Sequence, residues 1–150
     1  MRVQLGEELY NKIEKRISHT ITGISTTLDE ILSENKVTVD EIMYLVSILQ
    51  PSFRILSKKW VLEILYTLLI SGPLTFTQLK RILKVNQSSL SLKLKELEAM
   101  NFVERKVLTT SNRNVIYNLT EKGKNTALLS IPILYYISKE EGVFEKKSSA

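Results

Sequence analysis

The first thirty residues carry one narrow stripe of apolar side chains. Between Leu5 and Leu32 the apolar positions recur every three or four residues, with charged and hydroxyl side chains between them. Residues three and four apart share one face of a helix, so this spacing predicts a long helix with one apolar face. Gly23 and the neighbouring Ser and Thr predict a break or kink near residues 22–26. So narrow a face favours pairing with another helix, with packing on the core of its own domain as the alternative.

Two further helices are predicted before the Gly-Pro pair at residues 72–73. Thr38 and Glu41 have the spacing of a capping box at the start of the second helix. Pro51 is expected to end that helix, because proline lacks the N–H that a helical ladder needs. Ser57 is the expected N-cap of a third helix over 58–71, which is apolar over most of its surface.

Beyond residue 73 the predicted elements are short. Residues 74–76 predict a brief strand, and Thr77 is the expected N-cap of the helix that follows. A turn at 85–86 then leads into a helix over 87–100. Asn101 follows that helix at a position where asparagine, after glycine, best tolerates the left-handed conformation.

A hairpin and a last helix complete the pattern. Strands are predicted over 102–108 and 114–119, the second from its alternating apolar residues, and the polar loop 109–113 joins them. Thr120 is the expected N-cap of the last helix. We expect the tail, 142–150, to be disordered.

The order helix, strand, helix, turn, helix, hairpin is that of a winged helix-turn-helix. In that fold the second helix of the pair is free to enter a DNA major groove, and the hairpin reaches the minor groove or the phosphates. We therefore predict a mainly α fold with a small β-hairpin. A DNA-binding domain over 51–123 is flanked by an N-terminal helical arm, 1–50, and a C-terminal helix, 124–141.

Both flanking segments are expected to pair two copies of the chain. Their apolar faces have no obvious partner within a winged domain of this size, and a two-fold dimer would match a palindromic DNA site. The residues expected at the dimer contact are Leu9, Ile13, Ile17, Ile24, Leu28, Ile131, Leu134 and Tyr135.

Composition excludes several kinds of chemistry. The 150 residues include no cysteine and one histidine, His19, so disulfides, thiol redox sensing and multi-histidine metal sites are excluded within one chain. The only aspartates are Asp29 and Asp40, and no phosphate-cradling glycine loop or Ser–His–Asp set is found. We expect no enzymatic activity, no metal and no cofactor.

The apolar runs are too short for a membrane. The longest, 128–137, is ten residues with a proline inside, whereas a spanning helix needs roughly 20. The N-terminus lacks the apolar core of a signal peptide. We expect a cytoplasmic protein that does not bind membranes.

The positive charge is concentrated in the middle of the chain. Residues 51–125 hold thirteen Lys/Arg and five Asp/Glu, a net charge of +8, whereas residues 1–50 hold five and eight, a net of −3. A concentrated basic segment favours a polyanionic partner, most often nucleic acid, over an ordinary solvated surface.

Five segments in the same order resemble the HxlR-type regulators. They are Ile55–Leu69, Gly72–Leu79, Ser91–Glu98, Phe102–Arg105 and Tyr117–Gly123. The wing and the closing Leu-Thr-Glu-Lys-Gly are also similar to the wider MarR group. The resemblance spans about residues 53–138 and implies a dimeric transcription regulator whose terminal helices pair the subunits. HxlR-type proteins typically have a short N-terminal arm, often bearing a cysteine, whereas this chain has fifty extra residues and no cysteine.

The helix over 87–100 is the expected recognition helix. At 100° per residue, Leu90, Leu94 and Leu97 lie within about 40° of one another and predict a buried ridge. The residues on the opposite side are Ser88, Ser91, Leu92 and Lys95. Serine and lysine can bond base edges or phosphates, and leucine can contact a thymine methyl group. Two alternatives stay open: Leu92 packs on the wing or another subunit, and Ser88 with Ser89 caps the helix.

Fourteen residues are expected at the DNA. They are Thr77, Gln78, Lys80, Lys84, Gln87, Ser88, Ser89, Ser91, Leu92, Lys95, Lys106, Asn112, Arg113 and Asn114. Arg113 at the hairpin tip suits a narrow, strongly negative minor groove, with a solvated turn as the alternative. The lysines outside the recognition helix are expected to contact phosphates or to be plain solvated charges.

We therefore predict sequence-specific binding to double-stranded DNA by a dimeric transcription regulator, with helix 87–100 in the major groove and loop 109–113 at the minor groove. The alternative is a winged-helix module that docks proteins within a larger assembly. A small apolar effector is a further expected partner, in a crevice between the dimer helices and the winged domain. Trp60, Tyr66 and Phe76 are expected in the core.

Overall fold

The computed structural model describes residues 2–108 and 114–147. It divides the chain into a helical unit, Met1–Ser47 with Ser130–Ala150, and a winged-helix unit, Ile48–Leu129. Among the described residues no helix is long and apolar enough to cross a membrane.

The elements follow one another in the predicted order, with one short strand added near each end of the chain. They are β1 (Val3–Leu5), α1 (Glu7–Asn35), α2 (Val39–Leu56), α3 (Val61–Ser71), β2 (Leu74–Thr75), α4 (Phe76–Leu83), α5 (Gln87–Ala99), β3 (Val103–Val107), β4 (Val115–Leu119), α6 (Glu121–Glu140) and β5 (Phe144–Lys146). The predicted fold class, mainly α with a small hairpin in a winged helix-turn-helix, is confirmed.

The winged-helix unit is built on a three-stranded antiparallel sheet with the strand order β2-β4-β3. Side chains from α3, α4 and α5 meet in one core, with Ile64, Leu79 and Leu90 completely buried. Trp60, Tyr66 and Phe76, the three aromatic residues expected in the core, pack against it partly buried. The helix-turn-helix is thus held by an apolar core of its own.

Three predicted helix ends are confirmed. The Thr38 N–H donates to Glu41 Oε2 at 2.8 Å, and the Glu41 N–H donates to Thr38 Oγ1 at 3.3 Å, which is a capping box. Asn101 has a φ of 60°, the left-handed conformation expected after α5. Thr120 Oγ1 accepts a hydrogen bond from the Gly123 N–H at 3.0 Å at the start of α6.

Two predicted helix interruptions are wrong. α1 is one continuous helix through Gly23, and the nearby hydroxyls bond carbonyls one turn back, as Thr27 Oγ1 does to Gly23 O at 3.0 Å. α2 continues past Pro51 to Leu56. We attribute this to Ile55, which is buried in the core and offsets the cost of proline inside a helix.

Two predicted N-caps are also wrong. Ser57 directly follows α2, which is longer than predicted, and its Oγ donates back to Arg54 O at 3.0 Å. α3 begins at Val61 instead. The cap of α4 is Thr75 rather than Thr77. Its Oγ1 accepts from the Gln78 N–H at 3.3 Å, while its N–H donates to Gln78 Oε1 at 2.8 Å. The Thr-x-x-Gln spacing of a capping box starts two residues earlier than expected.

Part of the segment expected to be a disordered tail is ordered. Phe144–Lys146 forms β5, which pairs in parallel with β1, and the rings of Phe144 and Tyr135 lie 5.0 Å apart. An ion pair of 2.5 Å joins Arg2 and Glu145 across the strand pair. Backbone pairing with β1 and packing of the Phe144 ring on Tyr135 order this segment. Both partners are distant in the sequence, so the local composition does not predict the order.

Candidate nucleic-acid interface

α4 and α5 are joined by a tight turn in the helix-turn-helix of the winged-helix unit. Lys84 ends α4 with a φ of 52°, in the left-handed conformation. Asn86 then caps α5, its Oδ1 accepting from the Ser89 N–H at 2.8 Å. The alternative that Ser88 and Ser89 cap the helix is therefore wrong.

The two faces of α5 separate as expected. The ridge of Leu90, Leu94 and Leu97 is buried in the core. On the other side Ser88 and Lys95 are exposed and Ser91 is half-buried. Leu92 exposes 68% of its surface. This face offers hydroxyl, ammonium and methyl groups together, the set that can contact base edges.

An ion-pair network that the sequence analysis missed lies beside this face. Glu96 pairs with Lys93, one turn earlier on α5, at 2.6 Å and also with Lys58. The hydrogen bonds from Lys58 and Lys93 hold the pKa of the Glu96 carboxyl below its usual range. The three-residue spacing of Lys93 and Glu96 is a sequence signal for half of this network. Lys58 and Lys93 both pair with Glu96. Among the residues that the structure describes, Lys95 is therefore the exposed, unpaired lysine of α5.

The other expected contacts on the helix-turn-helix face solvent, apart from half-buried Ser89. The exposed residues are Thr77, Gln78, Lys80, Lys84 and Gln87. Across residues 2–108 and 114–147, no ion pair forms at Lys80, Lys84 or Lys95. Gln78 uses its carbonyl oxygen in the α4 cap, so only its amide N–H groups are available to a ligand.

In the described part of the wing, one expected DNA contact is paired with a neighbouring carboxylate. Lys106 forms an ion pair of 2.7 Å with Glu104, and that hydrogen bond lowers the pKa of the Glu104 carboxyl. Asn114 is exposed, and its backbone carbonyl oxygen accepts from the Leu108 N–H at 2.9 Å. The predicted tip residues Asn112 and Arg113 lie outside the described residues, as does loop 109–113.

The residues expected at the dimer contact all belong to the helical unit. Those with large exposed side chains are Leu9, Ile24, Leu28, Ile131 and Leu134. Ile13, Ile17 and Tyr135 are half-buried, and Tyr135 OH donates to Glu14 Oε1 at 2.9 Å. The exposed members are therefore free to meet a further apolar surface, and the dimer itself stays a prediction.

An apolar cleft of about 480 Å³ lies within the winged-helix unit. Phe53 and Leu56 of α2 line it together with Met100, Phe102 and Lys122. Its volume is within the range of small-molecule sites. The effector was expected in a crevice between the dimer helices and the winged domain, whereas this cleft lies within the winged-helix unit alone, so the effector stays a prediction.

The fold and this exposed face define a winged helix-turn-helix protein. Residues 55–139, more than half of the chain, match the HxlR-like helix-turn-helix family, and the chain belongs to that family. The resemblance found in the sequence is therefore confirmed.

Two proteins of Bacillus subtilis strain 168 are similar over the same part. The HTH-type transcriptional regulator YodB is 39% identical over 84 residues, which cover 55% of this chain and 72% of YodB. The uncharacterized HTH-type transcriptional regulator YvaP is 41% identical over 86 residues, covering 57% and 75%.

Solved structures agree with the sequence relatives. The reduced form of B. subtilis YodB aligns with a TM-score of 0.55 and 31% identity, covering 60% of this chain and 88% of that one. The redox regulator HypR in its reduced form aligns with a TM-score of 0.55 and 27% identity, covering 63% and 94%.

Proposed function

We propose that this protein regulates transcription by binding double-stranded DNA sequence-specifically as a cytoplasmic homodimer. The observation that carries the proposal is the exposed face of α5, where Ser88, Leu92 and Lys95 stand opposite a buried leucine ridge. A helix anchored on one side and free on the other is what the major groove admits. The relatives' names, HTH-type transcriptional regulators, support the same conclusion.

Each group on this surface has a role in the proposal. Ser91, Leu92 and Lys95 contact base edges in the major groove, where a bidentate or methyl contact discriminates one base pair from another. Lys80 and Lys84 contact phosphates, which position the protein without reading sequence. The wing, 109–113, lies at the minor groove.

Dimerisation belongs to the proposal because one recognition helix reads only a few base pairs. Exposed apolar residues of the helical unit, such as Ile24, Leu28 and Leu134, favour burial against a second copy. A two-fold dimer then places two α5 helices at half-sites about one or two helical turns apart.

A gel-shift series on the full-length chain tests the proposal. DNA fragments selected from the source genome should bind tightly at low salt and progressively less tightly as salt rises, since binding releases counterions from phosphates. A scrambled fragment of the same length should bind more weakly at every salt concentration. Light scattering at micromolar concentration should give a dimer. Absence of DNA binding at low salt would leave the protein-docking alternative.

A further inference from the structure

Helix α1 carries a stripe of positively charged side chains that the sequence analysis did not single out. This cationic stripe consists of Lys12, Lys15, Arg16 and His19, which have the i, i+3, i+4, i+7 spacing of one helix face. All four side chains are exposed. At 1.5 Å per residue the stripe is about 10 Å long. Two lysines and an arginine supply its charge, and His19 adds a ring N–H that can donate a hydrogen bond.

Carboxylates of the chain do not neutralise the cationic stripe. Across residues 2–108 and 114–147, no ion pair forms at any of its members. Between residues 10 and 28 the only acidic residue is Glu14. At about 100° per residue Glu14 lies about 150° around the helix from the centre of the stripe, and it accepts from Tyr135 and Lys139. Within the described residues the stripe therefore presents uncompensated positive charge.

This concentration of charge stands out in an acidic part of the chain. Residues 1–50 carry a net charge of −3, yet three of their five Lys/Arg lie in the cationic stripe. Elsewhere in the helical unit, Arg2, Lys139 and Lys146 each pair with a carboxylate at 2.5–2.7 Å. The contrast favours an external anion as the partner of the stripe over a general role in solubility.

The dimensions of the stripe fit a nucleic-acid backbone. Each strand of a DNA duplex presents one phosphate per 3.4 Å of helix axis, so a stripe of about 10 Å spans about three phosphates. Lysine and arginine side chains are common phosphate contacts. The next two turns of this face carry the small residues Thr22, Gly23 and Thr26, and an added Cβ at Gly23 would meet no atom within 4 Å. A duplex backbone can therefore approach this face closely.

We propose that the cationic stripe of α1 binds the phosphate backbone of the duplex that α5 reads, as an anchor that does not depend on sequence. The inference rests on the DNA binding of the proposed function. It gives the N-terminal arm a role in DNA affinity, and it concerns a segment outside residues 55–139, the part of the chain that matches the family. Because phosphates carry no base identity, the anchor strengthens binding to every duplex about equally.

Gel shifts of the full-length chain over a salt series test the anchor. Lys15→Gln/Arg16→Gln should make the salt slope shallower by about two units and weaken binding about tenfold or more at about 0.1 M salt, because two phosphate contacts are lost. The preferred fragment and the scrambled fragment should weaken by the same factor. The control, Lys36→Gln/Lys147→Gln, makes the same charge change at exposed positions of the same unit and should follow the unmodified chain.

The other outcomes overturn the anchor. If the salt slope of Lys15→Gln/Arg16→Gln equals that of the control, the anchor is wrong and the DNA binding of α5 stands, which leaves an acidic protein segment as the partner of the stripe. A loss confined to the preferred fragment means that the stripe reads sequence. A changed assembly state in light scattering assigns the loss to assembly instead. An unmodified chain that binds no duplex at any salt removes the proposed function and the anchor together.

Cleavage of bound DNA gives a second test, which measures proximity. The chain has no cysteine of its own, so His19→Cys offers a single thiol within the stripe and keeps its three cations. An iron–EDTA group attached there should cut the backbone of the bound fragment at discrete positions. Attachment at Ser33→Cys, about 21 Å further along α1, is the control and should cut more weakly. A fully bound fragment that stays uncut in His19→Cys overturns the anchor even if the salt slope changes, because a long-range field alone shifts that slope.

Discussion

An added Cβ at Gly123 would lie 2.0 Å from the backbone carbonyl oxygen of Phe102. The same segment is held by Thr120, whose Oγ1 donates to Asn101 O at 2.7 Å, and by Lys122, whose Nζ donates to Met100 O at 2.9 Å. The first turn of α6 is thus held closely against the segment that follows α5. Glycine is required at position 123 because a side chain there would collide with the Phe102 carbonyl, and not because of its backbone angles.

We expect Gly123→Ala to destabilise the winged-helix unit. The methyl group has to displace backbone atoms, and overpacking of this kind typically costs about 1–3 kcal/mol. Urea unfolding of the full chain measures the loss. Asn125→Ala, an exposed change on the same helix, is the control and should stay within about 0.5 kcal/mol of the unmodified chain. If the Gly123→Ala chain is as stable as that control, the close contact between position 123 and the Phe102 carbonyl is wrong.

Two lysines of the helix-turn-helix should differ in their effect on DNA binding. Lys95→Gln removes a group that we place at base edges, so it should cost about 1–3 kcal/mol on the preferred site and relax discrimination there. Lys80→Gln should weaken all sequences about equally and make the salt slope shallower by about one unit. Gel shifts over a salt series measure both effects.

Lys147→Gln is the matched control for these variants, because it makes the same charge change in the helical unit. Its affinity and salt slope should follow those of the unmodified chain. If Lys95→Gln and Lys80→Gln behave alike on every sequence, the recognition face is misplaced.

The exposed leucine of α5 separates the two proposed uses of this surface. Leu92→Ala should weaken binding to a site that presents a thymine methyl at that position, by about 1–2 kcal/mol of lost apolar burial, and leave other sites nearly unchanged. The measurement is a gel shift on site variants in which that thymine is replaced. Loss of assembly in light scattering, with DNA affinity intact, would indicate a docking residue instead.

The contact between α1 and the end of α6 should respond to pH on both sides of neutrality. Glu14 Oε2 accepts from Lys139 Nζ at 2.7 Å, and this bond lowers the pKa of the Glu14 carboxyl. Burial, with the hydrogen bond to Glu14, raises the pKa of Tyr135 from 10.0 to about 12, and Glu14 also raises the pKa of Lys139. Because the pKa of each group differs between the folded and the unfolded state, each shift makes the free energy of unfolding depend on pH.

The direction of each pKa shift decides whether acid or alkali reduces the free energy of unfolding. The contribution of Glu14 is present above its ordinary pKa of 4.5 and is lost as pH falls through the lowered value. Those of Tyr135 and Lys139 are present below their ordinary pKa values of 10.0 and 10.5 and are lost as pH rises through the raised ones. Unfolding free energies measured across pH should therefore fall at both extremes.

Glu14→Gln should flatten the acid limb of this profile and part of the alkaline limb. Tyr135→Phe should remove only the tyrosine part of the alkaline loss. Tyr136→Phe is the neighbouring control and should leave the profile as it is. An alkaline limb that is unchanged in Tyr135→Phe contradicts the contact.

The sequence determined the local features of this protein. Spacing of three and four placed Leu90, Leu94 and Leu97 on one buried ridge, because helix geometry alone decides which positions share a face. The left-handed turn at Asn101 and the cap at Thr120 were likewise predictable, because each depends on one residue and its immediate neighbours.

Only the tertiary structure decided features that join distant parts of the chain. Pro51 lies inside a helix because the next turn buries Ile55, and β5 forms because β1 supplies its hydrogen-bond partners. Glu96 and Lys58 are 38 positions apart in the sequence, so no local sequence pattern predicts that they pair. Burial and long-range pairing contribute free energies as large as local preferences, so they override a proline or order a tail that composition predicts to be free.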